Sequence, residues 1–369
     1  MRRYWRLFRD CIQRGGEEDL IVTDTAAQRM DAGELVHAPL ARYFSQVVTE
    51  CGGDAEALLY HVGIADAASG EAETNLSYRQ AAQLLEYAAD TLKRADFGML
   101  LASRQGREGI EGPLGQVMRH SRCFGDVLHL AVDHGYAHSL ASTSWLQTAS
   151  SGKGVLFGHD ILLEGLPSTG QTIEQILLMG HLIAMRLTGE RVRARKIFFR
   201  HQALSPPAIY RRYFGCEVRF GQPYNATLYR DDDLTQPLLP SDTATFSQLL
   251  AAIEARFEDR QTPVSRLLRS LILPELTNPH CTSEWLAREL GMHPRTLHRR
   301  LCAEGTSIRR IRDELRRNLA RYYLDKTAFN FSAISSHLGF SEQAVLTRNC
   351  HRWFGCSPRQ MRLNCQAVS

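Results

Sequence analysis

The sequence predicts an α+β protein that is mostly α-helical, with an N-terminal mixed α/β domain and an all-α C-terminal domain. Between about residues 35 and 240, short strand-like segments stand among longer segments that have the apolar spacing of helices. From Val264 to the end, almost every segment has helical spacing. A chain of 369 residues is also longer than most single domains, so we expect two or more.

The N-terminal domain is predicted to span residues 35–240. Its helices are indicated by LSYRQAAQLLEYAADTL, in which Leu85, Ala88 and Leu92 repeat at intervals of three and four and Ser77 suits the N-cap. A second helical stretch follows Phe124. The strand candidates lie around a predicted helix near 172–188 and are GVLFGHDILLEG (154–165), KIFFRH (196–201) and short pieces of RRYFGCEVRFGQPYNATLYRDDD.

The segments that flank this domain are predicted to be a tail and a linker. Residues 1–34 form the N-terminal tail, and for its basic opening MRRYWRLFRDCIQR three interpretations stay open: a frayed tail or a misassigned start upstream of Met30, an ordered helix, and a targeting segment. Residues 241–261 form a linker region with one helix near 243–258, followed by the polar segment EDRQTP.

Positive charge is concentrated in the predicted C-terminal domain. Residues 262–369 hold sixteen Arg and one Lys against eight acidic residues, a formal excess of +9, whereas the remaining residues sum to −5. A solvated basic surface is one explanation, and a polyanionic partner is the other. The preference for Arg over Lys favours the polyanion, because the guanidinium fork suits phosphate and base edges.

The C-terminal domain contains an internal repeat. WLARELGMHPRTLHRRL, from residue 285, resembles AISSHLGFSEQAVLTRNC, from residue 333, and Gly291 and Gly339 occupy equivalent positions. Each copy has the pattern of a helix, a Leu-Gly turn and a second helix, which is that of a helix-turn-helix. We place the two units at about 283–303 and 332–352.

In the first copy, HPRTLHRRL (293–301) predicts a helix with an apolar face formed by Leu297 and Leu301. At 100° per residue, Arg295 and Arg299 fall about 160° from Leu297, on the opposite face. Such a helix can enter the DNA major groove, where Arg binds guanine through two hydrogen bonds.

In the second copy, Leu346 and Cys350 are predicted to face inward, and Gln343, Thr347 and Arg348 point outward or flank that face. Gln and Arg are the natural readers of adenine and guanine. The same geometry is therefore predicted for both copies.

Between the copies, SIRRIRDELRRNLARYYLDK predicts an amphipathic helix of about nineteen residues, roughly 28 Å long. A rod of that length can hold two reading helices about one DNA turn (~34 Å) apart on the same face. Its charged side is a solvated face by default, although Arg309, Arg310 or Arg316 can reach phosphate.

Residues 262–369 resemble the DNA-binding domain of AraC/XylS-type bacterial transcription regulators. The motifs that carry the resemblance are LARELGMHPRTLHRRLCAEGTS and ISSHLGFSEQAVLTRNCHRWFGCSPRQMR, with Gly339-Phe340, Arg348, GCSP (355–358) and Arg362 at family positions. The resemblance implies two helix-turn-helix units that are joined by a long helix and bind double-stranded promoter DNA.

By position, the resemblance implies base contacts from seven residues: Arg295, Thr296, His298 and Arg299 in the first unit, and Gln343, Thr347 and Arg348 in the second. Three positions depart from the family pattern, since Ser is usual at His293, Phe at Cys350, and Lys or Arg at His351. A core Cys in place of Phe removes buried area and should loosen the second unit. We expect the loss of a cation at position 351 to remove one phosphate contact.

Residues 35–240 are similar to the companion domain of one AraC branch, often called arabinose-binding-like. DFGMLLASRQ, EGPLGQVMRHS and RRYFGCEVRFGQPYNATLYRDDDLTQPLLPSD carry this similarity, while Arg122-Cys123-Phe124 departs from a commoner Pro-Thr-Leu. The resemblance implies that the domain senses a small-molecule effector or supports dimerisation. It assigns no pocket residues, and the family name does not show that arabinose binds.

Other classes of protein are disfavoured by the sequence. It has no run of eighteen apolar residues that would span a membrane, and its nine cysteines are scattered without a C-x-x-C pair, as in reduced cytosolic proteins. A DNA-alkyl repair enzyme would need a cysteine cluster, and SGKGVLFG lacks the phosphate-loop pattern. His129, His134 and His138 are considered as metal ligands, but structural histidines are the preferred reading. We therefore assign no catalytic residue, cofactor or metal ligand.

These observations lead us to expect a cytoplasmic transcription regulator and, from the usual role of the family, an activator. Besides promoter DNA, the expected partners are RNA polymerase, a small-molecule effector and a second copy of the chain. Two hypotheses stay open. Either an effector bound by the N-terminal domain biases DNA binding, or that domain serves only protein–protein contacts.

Overall fold

The structure is a computed structural model. It describes residues 35–36, 40–64, 76–108, 112–139, 141–149, 152–163, 166, 168–238, 242–256, 263–327 and 329–366. The predicted tail, 1–34, lies outside the described residues. The chain divides into two compact units, one of which is Met30–Gln261 while the other includes Thr262–Ser369.

The N-terminal unit is predominantly helical. Its helices are α1 (Leu40–Glu50), α2 (Ala55–His61), α3 (Tyr78–Thr91), α4 (Phe97–Glu108), α5 (Gly112–Arg119), α6 (Phe124–Asp133), α7 (Gly170–Leu187), α8 (Pro207–Phe214) and α9 (Thr243–Arg256). Two 3-10 turns, Gly135–Ala137 and Asp231–Thr235, are also present among its described residues.

Strands form two small sheets in this unit. They are β1 (Leu35–Val36), β2 (Leu76–Ser77), β3 (Ser142–Thr148), β4 (Val155–Ile161), β5 (Lys196–Phe198), β6 (Glu217–Arg219) and β7 (Ala226–Tyr229). β1 pairs with β2, and the other five form one sheet in the order β3-β4-β7-β5-β6. Among the strands that the structure describes, only the β5–β6 pair is parallel, and the remaining neighbours are antiparallel. The fold class is therefore the predicted one.

Most of the predicted N-terminal elements are present. Ser77 is the N-cap of α3, where its Oγ accepts a hydrogen bond from the backbone N of Gln80 at 3.1 Å. β4, β5 and α7 occupy the segments predicted as strand, strand and helix. Strand β3 was not predicted, because its burial does not alternate from residue to residue as the strand signal requires.

The helix α7 lies at the centre of the unit and packs against α4 and α3. Its buried residues include polar ones, among them Gln171, Glu174 and His181. A helix buried on most of its faces must satisfy such groups internally, because water cannot reach them.

The helix predicted near 243–258 is α9, and it packs on the N-terminal unit. Ile253 is 3% exposed and lies in that unit's main hydrophobic core. His134 Nε2 of α6 lies 3.6 Å from Glu254 Oε1. This helix is thus attached to the N-terminal unit.

The C-terminal unit is all α-helical within the residues described. Its helices are α10 (Val264–Ile272), α11 (Ser283–Glu289), α12 (Pro294–Ala303), α13 (Ile308–Lys326), α14 (Phe331–His337), α15 (Gln343–Phe354) and α16 (Pro358–Gln366). One hydrophobic cluster joins them, with α11 packed on α12 and α14 packed on α15. The two predicted helix-turn-helix copies and the nineteen-residue connecting helix are confirmed.

Candidate nucleic-acid interface

The first reading helix, α12, is fixed at its start by a turn and a cap. Gly291 takes a φ of +62°, a left-handed conformation that glycine adopts without steric cost. His293 is the N-cap, and its Nδ1 accepts a hydrogen bond from the backbone N of Arg295 at 3.2 Å. The imidazole thus fills the role that Ser usually has at a helix N-terminus.

The two faces of α12 are as the sequence predicts. Leu297 and Leu301 are each 1% exposed and pack in the core of the unit. Arg295, His298 and Arg299 are exposed, and Thr296, the fourth candidate in this helix, is half-buried. The arginines stand on the side of the helix away from the leucines and are open to solvent.

The arginines of this face are available to a partner. Among the described residues, neither the guanidinium of Arg295 nor that of Arg299 has a hydrogen-bond or ion-pair partner. His298 differs, because its Nδ1 lies 3.7 Å from Cys302 Sγ, one helical turn further along. The exposed thiol of Cys302 was not foreseen as a neighbour of the reading residues, although the interval of four places it there.

The second reading helix, α15, has the same inward face with different residues. Leu346 and Cys350 are fully buried, and burial raises the pKa of the Cys350 thiol to about 12, so that it stays neutral. Gln343 and Arg348 are exposed. Thr347 is half-buried, and its Oγ1 donates to the backbone oxygen of Gln343 at 3.3 Å.

The N-terminus of α15 lacks the side-chain cap that α12 has. Glu342 is the N-cap residue, but its side chain makes no capping hydrogen bond. Its backbone oxygen instead accepts a hydrogen bond from Ser335 Oγ of α14 at 2.9 Å. The turn of the second copy is therefore tied to its first helix, while the end of the reading helix keeps an exposed carboxylate.

Helix α13 holds the turn of the second copy through Arg316. The Nε of Arg316 donates to Leu338 O at 2.9 Å, its Nη2 donates to Gly339 O at 3.4 Å, and its guanidinium lies 4.8 Å from the centre of the Phe340 ring. Burial, followed by the neighbouring Arg312 charge, lowers the pKa of Arg316. The sequence suggested Arg316 as a phosphate contact. In the structure its guanidinium instead binds groups inside the C-terminal unit.

Two other arginines also serve the fold. Arg312 Nη2 donates to Cys281 O at 2.6 Å, and Arg362 Nη2 donates to Phe329 O at 2.7 Å while its guanidinium stacks on Phe331. No signal in the sequence separates these arginines from the exposed ones, because their acceptors are backbone oxygens distant in the chain. The charge excess of the domain therefore overstates the number of cations free to meet DNA.

The N-terminal unit contains a buried carboxylate with an unused oxygen. Glu174 is fully buried, and its Oε1 accepts a hydrogen bond from the Tyr210 hydroxyl at 2.5 Å and lies 3.0 Å from His201 Nε2. Glu174 Oε2 is also buried, and it has no hydrogen-bond partner among the residues that the structure describes. Burial and the nearby carboxylate raise the pKa of Tyr210, which keeps its proton.

The histidines considered as metal ligands lie in different surroundings. Burial lowers the pKa values of His129 and His134, and His134 is next to Glu254. Across the described ranges, no group of three or more His, Cys, Asp or Glu side chains has the arrangement of a metal site. In the part of the chain that the structure covers, no helix combines the length and the apolarity needed to cross a membrane.

Two protein families match the chain. Residues 52–238 match the arabinose-binding domain found at the N-terminus of AraC transcription regulators, and residues 286–364 match a helix-turn-helix domain. These matches fall in the two units of the structure, one in each.

Known regulators are similar to this chain over most of its length. The chain is 31% identical over 333 residues to the HTH-type transcriptional regulator VirS of Mycobacterium tuberculosis, a match that covers 90% of this chain and 98% of VirS. It is 26% identical to the ornithine utilization regulator of Pseudomonas aeruginosa, over 89% of this chain and 96% of that protein. The crystal structure of the regulator CdpR from P. aeruginosa matches 77% of this chain and 91% of its own at 18% identity, with a TM-score of 0.40. The chain belongs to the AraC family of helix-turn-helix transcription regulators.

Proposed function

We propose that this regulator reads a promoter sequence with both copies at once. Arg295, Thr296, His298 and Arg299 enter one major groove, and Gln343, Thr347 and Arg348 enter the next one. The observation that carries the proposal is the pair of helices, each with exposed arginine opposite a buried leucine, joined by a helix of nineteen residues. Arginine at such positions binds guanine O6 and N7.

Selection of binding sites from random DNA, followed by footprinting, tests this proposal. We expect a selected sequence with two conserved segments about one helical turn apart, both protected by the full-length protein. A single protected segment would contradict reading by both copies. Affinity that does not change with salt would contradict DNA binding altogether, since phosphate contacts release counterions.

The N-terminal domain, in this proposal, binds a small effector that changes DNA affinity. Glu174 supports it, because a buried carboxylate oxygen without a partner suits a ligand that carries a donor such as an amine. The ornithine utilization regulator is named for an amine-bearing metabolite, so ornithine belongs in the first set of compounds to test. The competing hypothesis is an effector-independent regulator whose N-terminal domain serves protein contacts.

Thermal shift of the full-length protein against a set of metabolites separates these two hypotheses. One compound should raise the melting temperature in a saturable way and change the affinity for the selected DNA, by linkage between the two sites. Glu174→Gln should weaken that response and leave the affinity for DNA alone unchanged. If no compound shifts melting, the effector-independent hypothesis is favoured.

For its role in the cell, we propose that the protein is an activator that acts in the cytoplasm, contacts RNA polymerase, forms a homodimer and catalyses no reaction. Transcription in vitro from the selected promoter, with and without the protein, tests the sign of regulation. A decrease in transcript would indicate a repressor.

A further inference from the structure

A groove of about 970 Å³ lies between the two helix-turn-helix copies, inside the C-terminal unit. Residues of α12, the start and first half of α13, and α15 line it, together with Ser283 at the start of α11. Among the lining residues are five arginines: Arg295, Arg309, Arg312, Arg316 and Arg352. Asp313 is the one acidic residue among them, so the formal charge of this arginine groove is +4 with His298 neutral.

Three of these arginines are held in place by the protein. Arg312 and Arg316 donate to backbone oxygens, which carry no net charge. Arg352 donates to Asn349 Oδ1 at 2.6 Å and pairs with Asp313, whose other oxygen accepts a hydrogen bond from Trp353 Nε1 at 3.1 Å. These contacts fix the positions of the three guanidinium groups. Only the charge of Arg352 is neutralised, by Asp313.

The other two arginines, Arg295 and Arg309, are exposed. Within the described part of the chain, neither guanidinium has a hydrogen-bond or ion-pair partner. Arg309 lies in the first turn of α13, directly after Ser307 and Ile308, which also line the groove. The positive end of that helix adds to the charge of the arginines.

This concentration of like charge has an energetic cost when no anion is present. Arg312 and Arg316 lie one helical turn apart on α13, and the charge of Arg312 adds to burial in lowering the pKa of Arg316. A concave surface with charge of one sign focuses the field and attracts the opposite charge. Arginine does not lose its proton in proteins, so an anion is the means of relief.

We propose that the arginine groove holds the phosphodiester backbone of the DNA segment between the two sites of reading, with Arg309 as its principal phosphate contact. The inference rests on the proposed function, because a duplex read by α12 and α15 crosses the space between them. Arg295 and His298 belong both to the reading helix and to the groove lining. The backbone of the bound duplex therefore passes along the groove.

A diffusible phosphorylated molecule has the same recognition chemistry. The backbone is favoured because the groove adjoins the reading helix instead of lying apart from it. The two sources of phosphate are separable by experiment, since only one of them requires DNA.

Arg309→Ala tests the inference, with Arg310→Ala as the matched control. Arg310 is the adjacent residue and carries the same charge, but its Nε pairs with Glu314 Oε1 at 3.1 Å and it does not line the groove. The quantity to measure is the affinity of the full-length protein for the selected DNA as a function of salt concentration. Arg309→Ala should reduce the slope of log K against log salt by about one and weaken binding about eightfold at about 0.1 M salt, evenly across sequences. Arg310→Ala should leave the slope unchanged.

Duplexes with neutral methylphosphonate linkages between the two conserved segments locate the contact. They should weaken binding of the wild-type protein and have little further effect on Arg309→Ala, because the contact is already lost. An unchanged salt slope in Arg309→Ala, or a loss of affinity confined to one base position, overturns the inference. The proposed function still stands in that case, provided that the wild-type protein binds DNA with sequence specificity. If the wild type shows no sequence preference, the proposed function itself fails.

Titration of the wild-type protein with inorganic tripolyphosphate, without DNA, tests the other source. No saturable binding is expected at about 0.1 M salt. Saturable binding that Arg309→Ala abolishes, with the DNA salt slope unaffected, would overturn the assignment to the DNA backbone.

Discussion

The two helix-turn-helix copies share one backbone pattern but are stabilised differently. The first has a larger side chain in its core, Leu301 against Cys350, and a side-chain cap, His293 against Glu342. The second is instead clamped at its turn by Arg316. In the second copy, hydrogen bonds from the connecting helix α13 thus compensate in part for the smaller buried side chain of the reading helix α15.

The exposed faces of α12 and α15 also differ, in the number of arginines that they carry. At equivalent positions the first copy has Arg295 and Arg299, and the second has Ala344 and Arg348. The first copy therefore has two exposed arginines at these positions where the second has one. We expect it to contribute more of the affinity for DNA.

The largest difference in stability between the two copies should appear when their core residues are substituted. Leu301→Ala is expected to destabilise the first copy by about 3–4 kcal/mol, because it removes a buried side chain and leaves a cavity. Cys350→Ala removes one sulfur atom and should cost about 1 kcal/mol. Hydrogen exchange of the full-length protein, compared between peptides of α12 and α15, measures both. Equal losses would mean that Cys350 packs as tightly as a leucine.

A substitution in the turn of the second copy should reduce the stability of the protein nearly as much. Gly339 has a φ of +69°, and a Cβ there would lie 2.5 Å from Leu276 O, so Gly339→Ala combines backbone strain with a clash and should cost about 2–4 kcal/mol. Gly305, at the end of the first reading helix, has a φ of +67° with open space around it. Gly305→Ala should cost only about 1–2 kcal/mol. Chemical denaturation of both variants gives the difference, and equal values would exclude the contact with Leu276.

Base recognition should show smaller, position-specific effects. Arg299→Ala and Arg348→Ala should each reduce affinity for the selected DNA by about 1–3 kcal/mol and relax one base position. The relaxed positions should fall in different segments of the site. Selection of binding sites with each variant provides the measurement. A uniform loss over all sequences would show that the residue contacts phosphate only.

The helix caps should show the smallest effect. Glu342→Ser supplies the capping oxygen that α15 lacks and should stabilise the second copy by about 0.5–1 kcal/mol. It also removes a negative charge near DNA and should strengthen binding slightly. His293→Ser is the control in the first copy and should change little, because His293 already accepts the Arg295 N–H. If Glu342→Ser is neutral in thermal melting, the N–H groups of α15 are satisfied by water.

Much of the fold and of the candidate site was predictable because the signals are local. Apolar spacing gave α12, α13 and α15 and placed the arginines opposite Leu297, since helix geometry turns spacing directly into faces. The prediction was weaker where structure depends on distant partners. Strand β3 was missed, and α9 was predicted as part of a linker although Ile253 packs in the N-terminal core.

The sequence by itself determined the repeated helix-turn-helix pattern and the outward position of Arg295, Arg299 and Arg348, because a period of 3.6 residues needs no knowledge of the rest of the chain. Only the tertiary structure decided which arginines are available. Arg316 reaches the oxygen of Leu338, and Gly339 lies against Leu276, contacts between residues far apart in the chain. A hydrogen bond or a steric contact depends on the distance in space between two groups, and the folded chain alone sets that distance.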